Sequence, residues 1–315
     1  MLLLWQRLIL YKLNVQIYMK IYDCFMFFDE EMLLDLRLNI MNKYVDKFVI
    51  IEAAFMHSGK SKKLIFDINK FSKFRDKIIY KVIDKEPDNI EKIDKGDDNE
   101  ISGRKLIHNS IKRENFQREG ANDILYNLNE EDIIIINDID EIPDLSEVNF
   151  NEINNKIIIF KQKVFYYKFN LQYKNLTWHG SRACKKKNFI SSQWLRNVKH
   201  KRYPFWRIDS IFSKKKYTNI KYVHNGGWHF TNIKSPENLE RKFLNFLHHQ
   251  DFEDSGLKLN NIKDMMKNKK ILYDLSVDRA NYKWSGTKDL LKVDLSEMPL
   301  YLIDNYNKYS IWFDN

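Results

Sequence analysis

The sequence is poor in cysteine, glycine and proline, and each shortage argues against a class of protein. Cys24 and Cys184 are the two cysteines among 315 residues, and they form no CxxC pair. This argues against a structural zinc site or a disulfide framework and fits a reducing compartment. Nine glycines and five prolines argue against long flexible linkers. With 43% hydrophobic residues, the chain is globular rather than disordered.

The net charge of +10 favours an anionic partner, either a molecule with phosphates or a membrane surface. Basic runs lie at residues 185–187, 199–202 and 214–216, whereas the acidic excess is concentrated at 84–100. A basic nucleic-acid-binding protein is one interpretation of these runs. No nucleic-acid-binding motif accompanies them, so the principal prediction includes no nucleic-acid partner.

Residues 1–18 form an apolar extension that charged and amide side chains interrupt. The extension falls short of the ~20 apolar residues that a membrane-spanning helix needs, and it lacks the cleavage site of a signal peptide. Two interpretations remain open: a helix that makes peripheral contact with a membrane, or a translation start assigned too early, ahead of Met19. We expect a cytoplasmic protein, which the first interpretation would make membrane-peripheral.

Strand-like and helix-like segments alternate through the first 145 residues. Apolar runs without polar alternation predict strands that are buried on both faces of a parallel sheet. Four such runs lie at 20–28, 47–53, 76–84 and 132–137. Helices are predicted after Asp29, as the N-cap residue, and from about 103 to 128. The pattern predicts an α/β fold with a central mostly parallel sheet flanked by helices, in which ligands bind beyond the carboxyl ends of the strands.

The second half of the chain has a different character. It predicts strands at 156–170 and 219–230, and helices near 235–250 and 258–268. No internal repeat is evident, and no linker marks a second independent domain. We therefore predict one domain at 19–315, with an N-terminal extension at 1–18.

The fourth strand, “DIIIIN”, runs directly into the acidic segment “DIDEIPD”. Asp138 and Asp140 therefore lie at the predicted ligand-binding edge of the sheet. In one interpretation these carboxylates hold a divalent cation that bridges the phosphates of a nucleotide. Such a cation acts as a Lewis acid when a diphosphate group leaves.

In the alternative interpretation, “IIIIND” is a Walker B strand and “AFMHSGKS” (54–61) is a P-loop that contains Lys60. The protein would then be an NTPase. Two features oppose this: Ala54 stands where the P-loop has its first glycine, and no helical stripe follows Ser61.

Four blocks of sequence, in order, carry a resemblance to a known family. They are “YDCFMFFDEEMLLDLRLNIMNKYVDKFVIIEA” (22–53), “SGKSKKLIF” (58–66), “NDIDEIPD” (137–144) and “GGWHF” (226–230). Together they resemble glycosyltransferase family 17, the family of the β-1,4-mannosyl-glycoprotein N-acetylglucosaminyltransferase that adds bisecting N-acetylglucosamine (GlcNAc). The family pattern has Asn where this chain has Asp29.

The resemblance implies a GT-A fold, a nucleotide-sugar donor, a glycan or glycoconjugate acceptor, and inversion at the anomeric carbon. It implies UDP-GlcNAc as the donor and Mn²⁺ or Mg²⁺ as the cofactor. Residues 19–145 would form the donor-binding half and 146–315 the acceptor-binding half. By motif match Asp138 and Asp140 would bind the metal and the donor diphosphate, and His229 would be the third metal ligand.

Further donor-binding candidates are Glu52, after the second strand, together with Lys60 and Arg118. Arg118 has a structural alternative, an i,i+4 ion pair with Glu114. Trp178 and Trp228 are candidates for stacking on the sugars of the acceptor, although large aromatic residues are more often part of a core.

An inverting transfer needs a carboxylate that deprotonates the acceptor hydroxyl. Asp209 is the candidate catalytic base, and Glu141, Asp251 and Glu253 are rivals. A non-catalytic, glycan-binding relative of the family is a further interpretation of the same residues.

Overall fold

Two β-sheets and the helices around them form the part of the protein that the computed structural model describes: residues 19–201, 203, 213–245, 249–274, 284 and 288–314. The strands are β1 (Ile21–Phe27), β2 (Lys47–Ala53), β3 (Ile78–Ile83), β4 (Ile133–Asp138), β5 (Glu141–Pro143), β6 (Ile157–Phe160), β7 (Gln162–Tyr166), β8 (Leu171–Trp178), β9 (Arg182–Lys185), β10 (Ile220–Val223), β11 (Gly227–Thr231) and β12 (Leu291–Lys292). The α-helices are α1 (Glu31–Met41), α2 (Asn99–Glu119), α3 (Asn122–Leu125), α4 (Ser192–Asn197), α5 (Pro236–Phe243), α6 (His249–Asp254), α7 (Leu259–Lys267), α8 (Leu300–Asp304) and α9 (Tyr306–Tyr309). Short 3-10 helices lie at Ile68–Lys77, Phe150–Glu152, Lys186–Asn188, Leu295–Glu297 and Ser310–Trp312.

The larger sheet has seven strands in the order β10-β6-β9-β4-β1-β2-β3. β9 runs antiparallel to its neighbours β4 and β6, and the other neighbouring pairs are parallel. The α/β fold with a mostly parallel sheet flanked by helices, predicted from the apolar runs, is therefore confirmed.

The isoleucines of β4 show how helices cover both faces of this sheet. Ile133 and Ile135 belong to a core that includes the apolar side chains of α1. Ile134 and Ile136 belong to a second core, which includes side chains of α3 and α4. Successive side chains of a strand point to opposite faces, so an unbroken apolar run is what a sheet covered on both sides requires.

The order of the parallel strands reverses beside β1. β2 and β3 lie on one side of β1, and β4 lies on the other. At such a reversal, the chain segments that follow the two neighbouring strands leave in opposite directions. A crevice therefore remains at the carboxyl ends of these strands. Met26 of β1 is in register with Asp138 of β4, so the acidic segment lies at this crevice.

The smaller sheet has five strands in the order β12-β8-β7-β11-β5. Its edge strand β5 follows the acidic segment directly and pairs antiparallel with β11, with His229 opposite Glu141. The second sheet therefore brings His229 to the end of β4, although about ninety residues separate them in the chain.

Two predicted strands are divided between the sheets. The segment 156–170 contains β6 of the larger sheet and β7 of the smaller one, with the break at Lys161, and 219–230 contains β10 and β11 in the same way. The predicted helix at 103–128 is also divided, into α2 and α3. The division falls at Gly120, where the backbone lies so close to β3 that a Cβ atom would be 2.6 Å from Ile83 Cδ1.

The prediction of Asp29 as the N-cap of α1 is wrong. Glu30 occupies the N-cap position and makes no side-chain capping bond. Asp29 instead accepts hydrogen bonds from Lys234 and, at 2.7 Å, from Arg241 Nη2. Its carboxylate therefore joins the end of β1 to the segment around α5 and is not available to cap the helix.

The segment after β2 does not form a P-loop. Phe55 and Ser61 pair as an isolated antiparallel bridge, and Gly59 between them has a φ of +90°. The 3-10 helix at Ile68–Lys77 is the next helical element, so no helix begins where a P-loop would direct its phosphates. The structure does not support the NTPase alternative.

None of the helices in the described ranges is both long and apolar enough to cross a membrane. Residues 1–18 lie outside those ranges.

Candidate functional site

A cavity of about 450 Å³ opens at the carboxyl ends of β1 and β4. Met26, Phe27, Phe28, Ala53 and Phe55 form an apolar wall. Charged side chains from several elements also line it, among them Lys62, Asp138, Asp140, Arg196 and Lys242. Its size is within the range of ligand pockets, roughly 300–1,000 Å³.

Asp138 ends β4 and binds two arginines. Arg118 Nη2 donates to Asp138 Oδ1 at 3.0 Å, and Arg196 Nη2 donates to Asp138 Oδ2 at 2.5 Å. Burial raises the pKa of Asp138, but the charges of Arg196 and Arg118 outweigh burial and hold that pKa well below its usual range. The carboxylate is thus negatively charged and already has two cationic partners.

Asp140 lies two residues on and faces His229. Asp140 Oδ2 is 3.6 Å from His229 Nε2, and the backbone is fixed by a hydrogen bond from Phe230 N to Asp140 O at 2.8 Å. Burial raises the pKa of Asp140, but the charge of His229, its hydrogen bond and the charge of Lys242 together lower that pKa below its usual value. His229 is buried and stacks on Trp178 with ring centroids 4.7 Å apart.

These residues have the chemistry of a partial cation site. A hard divalent cation such as Mg²⁺ or Mn²⁺ takes one or two carboxylates, with phosphates and water completing its shell. A neutral imidazole nitrogen can add a further ligand to a transition metal. His229 Nδ1 is buried and has no hydrogen-bond partner. Within the residues that are described, no group of three or more His, Cys, Asp or Glu side chains is arranged to hold an ion. Asp140 and His229 fit a cation as they stand, whereas Asp138 is bonded to guanidinium groups.

Glu141, a rival candidate for the catalytic base, is fully buried and fully bonded. It accepts hydrogen bonds from Trp178 Nε1 at 2.5 Å, Asp138 N at 2.9 Å and both terminal nitrogens of Arg196. A carboxylate so enclosed organises its neighbours and does not meet an acceptor hydroxyl.

Gly180 makes this enclosure possible. A Cβ atom at Gly180 would lie 2.0 Å from Glu141 Oε1 and 2.3 Å from Trp178 Nε1. The Glu141 carboxylate therefore occupies space that any other residue at position 180 would fill.

Arg37 of α1 supports the acidic segment from inside the fold. Its guanidinium is fully buried and forms an ion pair with Asp23 at 2.5 Å. Its Nη1 donates to the backbone carbonyl of Glu141 at 2.6 Å and to that of Ile139 at 3.3 Å. Backbone carbonyls that face inward at a turn need such a donor.

The predicted pair of Glu114 and Arg118 is present at 2.8 Å. Arg118 also donates to Gln193 Oε1 at 2.7 Å, in addition to Asp138. The helix α2 therefore borders the site, and Arg118 contacts the acidic segment while it keeps its structural pair.

Of the other candidates, the structure brings Trp178 to the cavity and leaves three elsewhere. Glu52 is buried and accepts hydrogen bonds from Lys62, Tyr80 and the backbone of residues 65 and 66, so it positions Lys62, which does line the cavity. Lys60 is exposed and does not line the cavity. Trp228 packs against the core and donates to the carbonyl of Glu297 at 2.7 Å.

Asp209 lies outside the described residues. Neither Asp251 nor Glu253, both in α6, lines the cavity.

Sequence reasoning missed Arg37, Gly180 and Arg196. For Arg37 a signal exists: it lies four residues from Leu33 and Met41 in a helix whose apolar face is buried, and an arginine there needs a buried partner. The short segment around Arg196 and the single Gly180 carry no comparable pattern.

The chain is similar to a known protein family. The model of the family described as glycosyltransferase family 17 matches residues 10–313, nearly the whole chain. The search of curated proteins found no match.

Proposed function

Because the chain belongs to glycosyltransferase family 17, we propose that it transfers GlcNAc from UDP-GlcNAc to a glycan hydroxyl, with inversion and with the help of a divalent cation. The protein is a glycosyltransferase, and membership of the family implies a nucleotide-sugar donor and a glycan acceptor. The identity of the sugar, the cation and the stereochemistry are the proposed part.

One observation carries the proposal: the Asp138-x-Asp140 segment opens into a cavity at the strand reversal between β1 and β4. Ligands of open α/β sheets bind at this position. The cavity combines an apolar wall, which suits a nucleobase and a sugar, with carboxylates and cations at one end, which suit a diphosphate and its metal.

Mn²⁺ or Mg²⁺ would be held by Asp140 and His229, with Asp138 beside them. When bound, the cation supplies neutralisation of the negative charge that builds on the departing diphosphate. Arg118 and Arg196 place positive charge at the same end of the cavity, and Trp178 also lines the cavity.

Inversion in one displacement requires a base that takes the proton of the acceptor hydroxyl as it attacks the anomeric carbon. The full bonding of Glu141 removes the nearest rival, so Asp209 stays the proposed base. Replacement of Asp209 by Asn should lower kcat and leave the affinity for UDP-GlcNAc unchanged.

A panel of nucleotide sugars tests the proposal. Thermal unfolding is measured with UDP-, GDP- and ADP-linked sugars, each with and without Mn²⁺, and donor hydrolysis is followed for those that bind. A ligand at about 100 times its Kd stabilises by about 2.7 kcal/mol, so Tm should rise by several degrees with UDP-GlcNAc and Mn²⁺ together. If no UDP-sugar raises Tm in a metal-dependent way, the proposed donor and cofactor are wrong.

A further inference from the structure

Arg196 of α4 bridges two carboxylates at the end of the cavity. Its Nη1 donates to Glu141 Oε2 at 2.6 Å and to the carbonyl of Gly180 at 2.7 Å. Its Nη2 donates to Asp138 Oδ2 at 2.5 Å and to Glu141 Oε1 at 2.7 Å. The guanidinium lines the cavity and is 13% exposed.

The two sides of this guanidinium differ in how firmly they are bonded. On the inner side, Glu141 is fully buried and is itself fixed by Trp178 Nε1 and Asp138 N. On the outer side, Asp138 has a second cation, Arg118, at 3.0 Å. Asp138 can therefore release Arg196 without becoming an unpaired charge, whereas Glu141 cannot.

A divalent cation and a guanidinium compete for the same carboxylate oxygens. If Asp138 turns toward a cation that Asp140 and His229 hold, the outer side of Arg196 loses its acceptor. A buried guanidinium N–H group without an acceptor is costly, and a planar donor pair matches phosphate oxygens well. The anchored inner side keeps the group in place for such an exchange, so little ordering is required on binding.

We propose that Arg196 is a diphosphate-binding residue of this enzyme, and that Asp138 occupies in the free protein the place that the donor diphosphate takes in the complex. This inference rests on the proposed function, because it assumes a nucleoside-diphosphate donor. It adds Arg196, which lies outside the metal-binding motif, to the donor-binding residues. In the free protein Asp138 is then a placeholder that the diphosphate replaces at Arg196.

The test compares a ligand that has the diphosphate with one that lacks it. Binding of UDP in the presence of Mn²⁺ is measured by calorimetry, and binding of uridine by ligand-observed NMR, for the wild type, Arg196→Gln and Arg196→Lys. Charge-assisted hydrogen bonds to phosphate predict that Arg196→Gln weakens UDP binding about 10- to 100-fold. Uridine binding should stay within about twofold in both variants, because uridine does not reach the guanidinium.

Two variants are compared so that a loss of UDP binding can be told apart from a failure to fold. Arg196→Gln leaves Glu141 buried without a cation and is at risk of not folding. Arg196→Lys keeps a charge beside Glu141 but loses the planar pair of donors, so it should still weaken UDP binding several-fold. Arg241→Gln is the matched control, since Arg241 is exposed and pairs with Asp29 at 2.7 Å; it should leave both ligands unaffected.

A second measurement tests the exchange itself. Without nucleotide, Mn²⁺ binding followed by electron paramagnetic resonance should be tighter in Arg196→Gln than in the wild type, because a cation beside Asp138 has been removed. Unchanged or weaker Mn²⁺ binding would overturn the placeholder role.

The outcomes separate this inference from the function on which it rests. If the wild type binds UDP and the Arg196 variants bind it equally well, or lose uridine in proportion, Arg196 is not a diphosphate ligand, and the proposed function stands. If the wild type binds no nucleoside diphosphate with either cation, the proposed function fails, and this inference fails with it.

Discussion

At the scale of single residues, three carboxylates within four positions of the chain have three different environments. Asp138 is bonded to two arginines, Asp140 faces an imidazole, and Glu141 is enclosed by an indole, a backbone amide and a guanidinium. Like-charged groups so close together repel one another unless each has its own partners. Arg196 is shared between Asp138 and Glu141, and together with Arg118 and His229 it offsets the negative charge at this end of the cavity.

Asp140→Asn tests whether Asp140 binds the metal or instead stabilises the folded protein. The substitution removes the negative charge that faces His229 but keeps the shape of the side chain. We expect the increase in Tm with Mn²⁺ and UDP-GlcNAc to be lost, while the Tm of the ligand-free protein changes by no more than a few degrees. Asp144→Asn is the control, because Asp144 caps a local turn through Ser146 N and should keep the full ligand effect.

Gly180→Ala should be strongly destabilising despite its small size. The new methyl group would overlap the Glu141 carboxylate and the Trp178 indole, which are 2.0 and 2.3 Å from the Cβ position. Displacement of a buried, bonded carboxylate should lower the free energy of unfolding by about 2–4 kcal/mol in urea titrations.

Gly103→Ala provides the comparison, since Gly103 lies within α2 and, apart from its chain neighbours and the backbone of its own helix, no atom lies within 4 Å of its Cβ position. There alanine should stabilise by about 0.5–1 kcal/mol. Equal effects at positions 103 and 180 would contradict the packing argument.

The site residues differ in whether neighbouring sequence indicates their position in the site. Asp138 and Asp140 could be predicted because the strand and the carboxylates are contiguous in the chain. Arg196 contacts Asp138 across 58 positions, and nothing near it in sequence indicates that contact. Gly180 is needed because the Glu141 carboxylate occupies the space that a side chain at position 180 would fill. No local sequence pattern indicates that contact.

At the scale of elements, Arg37 couples three of them. It lies in α1, pairs with Asp23 of β1 and donates to the carbonyls of Ile139, after β4, and of Glu141, at the start of β5. Asn137 Nδ2 also donates to Asp23 Oδ1 at 2.6 Å. The buried ion pair between Arg37 and Asp23 thus holds the backbone of the acidic segment in position.

Arg37→Met should lower the free energy of unfolding by about 3–5 kcal/mol, because Asp23 would remain as a buried charge without its partner. The double variant Asp23→Asn/Arg37→Met should recover part of this loss. Urea unfolding of both variants measures the difference. Arg75→Met is the control, since Arg75 is exposed and bonds to Asn69, and it should change stability by no more than about 0.5 kcal/mol. A double variant no more stable than Arg37→Met would argue against the ion pair.

Elements with continuous apolar runs were predictable, and the points where the chain changes sheets were not. β2 was predicted with its observed bounds, and β1, β3 and β4 lie within one or two residues of their predicted ends. The breaks at Lys161 and between β10 and β11 follow from how two sheets pack, not from propensity. Local sequence predicts extended backbone there but not which sheet a strand joins.

At the scale of the whole molecule, the two sheets share one hydrophobic core. Phe25 of β1, Phe165 of β7 and Phe230 of β11 belong to the same cluster as Phe313 near the end of the chain. The cavity lies where these sheets meet, so its geometry depends on packing contributed by distant parts of the chain.

Two stacked histidines lie among cationic side chains, which affects their pKa values. His179 and His200 stack with ring centroids 4.7 Å apart, and Lys161 and Arg182 lie close enough to act on His179. Burial, with the charges of His200, Lys161 and Arg182, lowers the pKa of His179 from 6.5 to about 4. Burial and neighbouring cations lower the pKa of His200 in the same direction. Both imidazoles are therefore neutral in the folded protein at pH values where they are charged in the unfolded chain.

The sign of the resulting pH dependence follows from proton binding. Between pH 6.5 and about 4 the unfolded chain binds a proton at His179 that the folded protein does not, so the free energy of unfolding falls as the pH is lowered. Since His179 is half-exposed, solvent screening reduces its share to about 1 kcal/mol. Urea unfolding at pH 7 and pH 4.5 should therefore show a smaller loss of stability for His179→Gln than for the wild type. His224→Gln, at an exposed position, should keep the wild-type loss, and parallel pH profiles for the wild type and His179→Gln would refute the assignment.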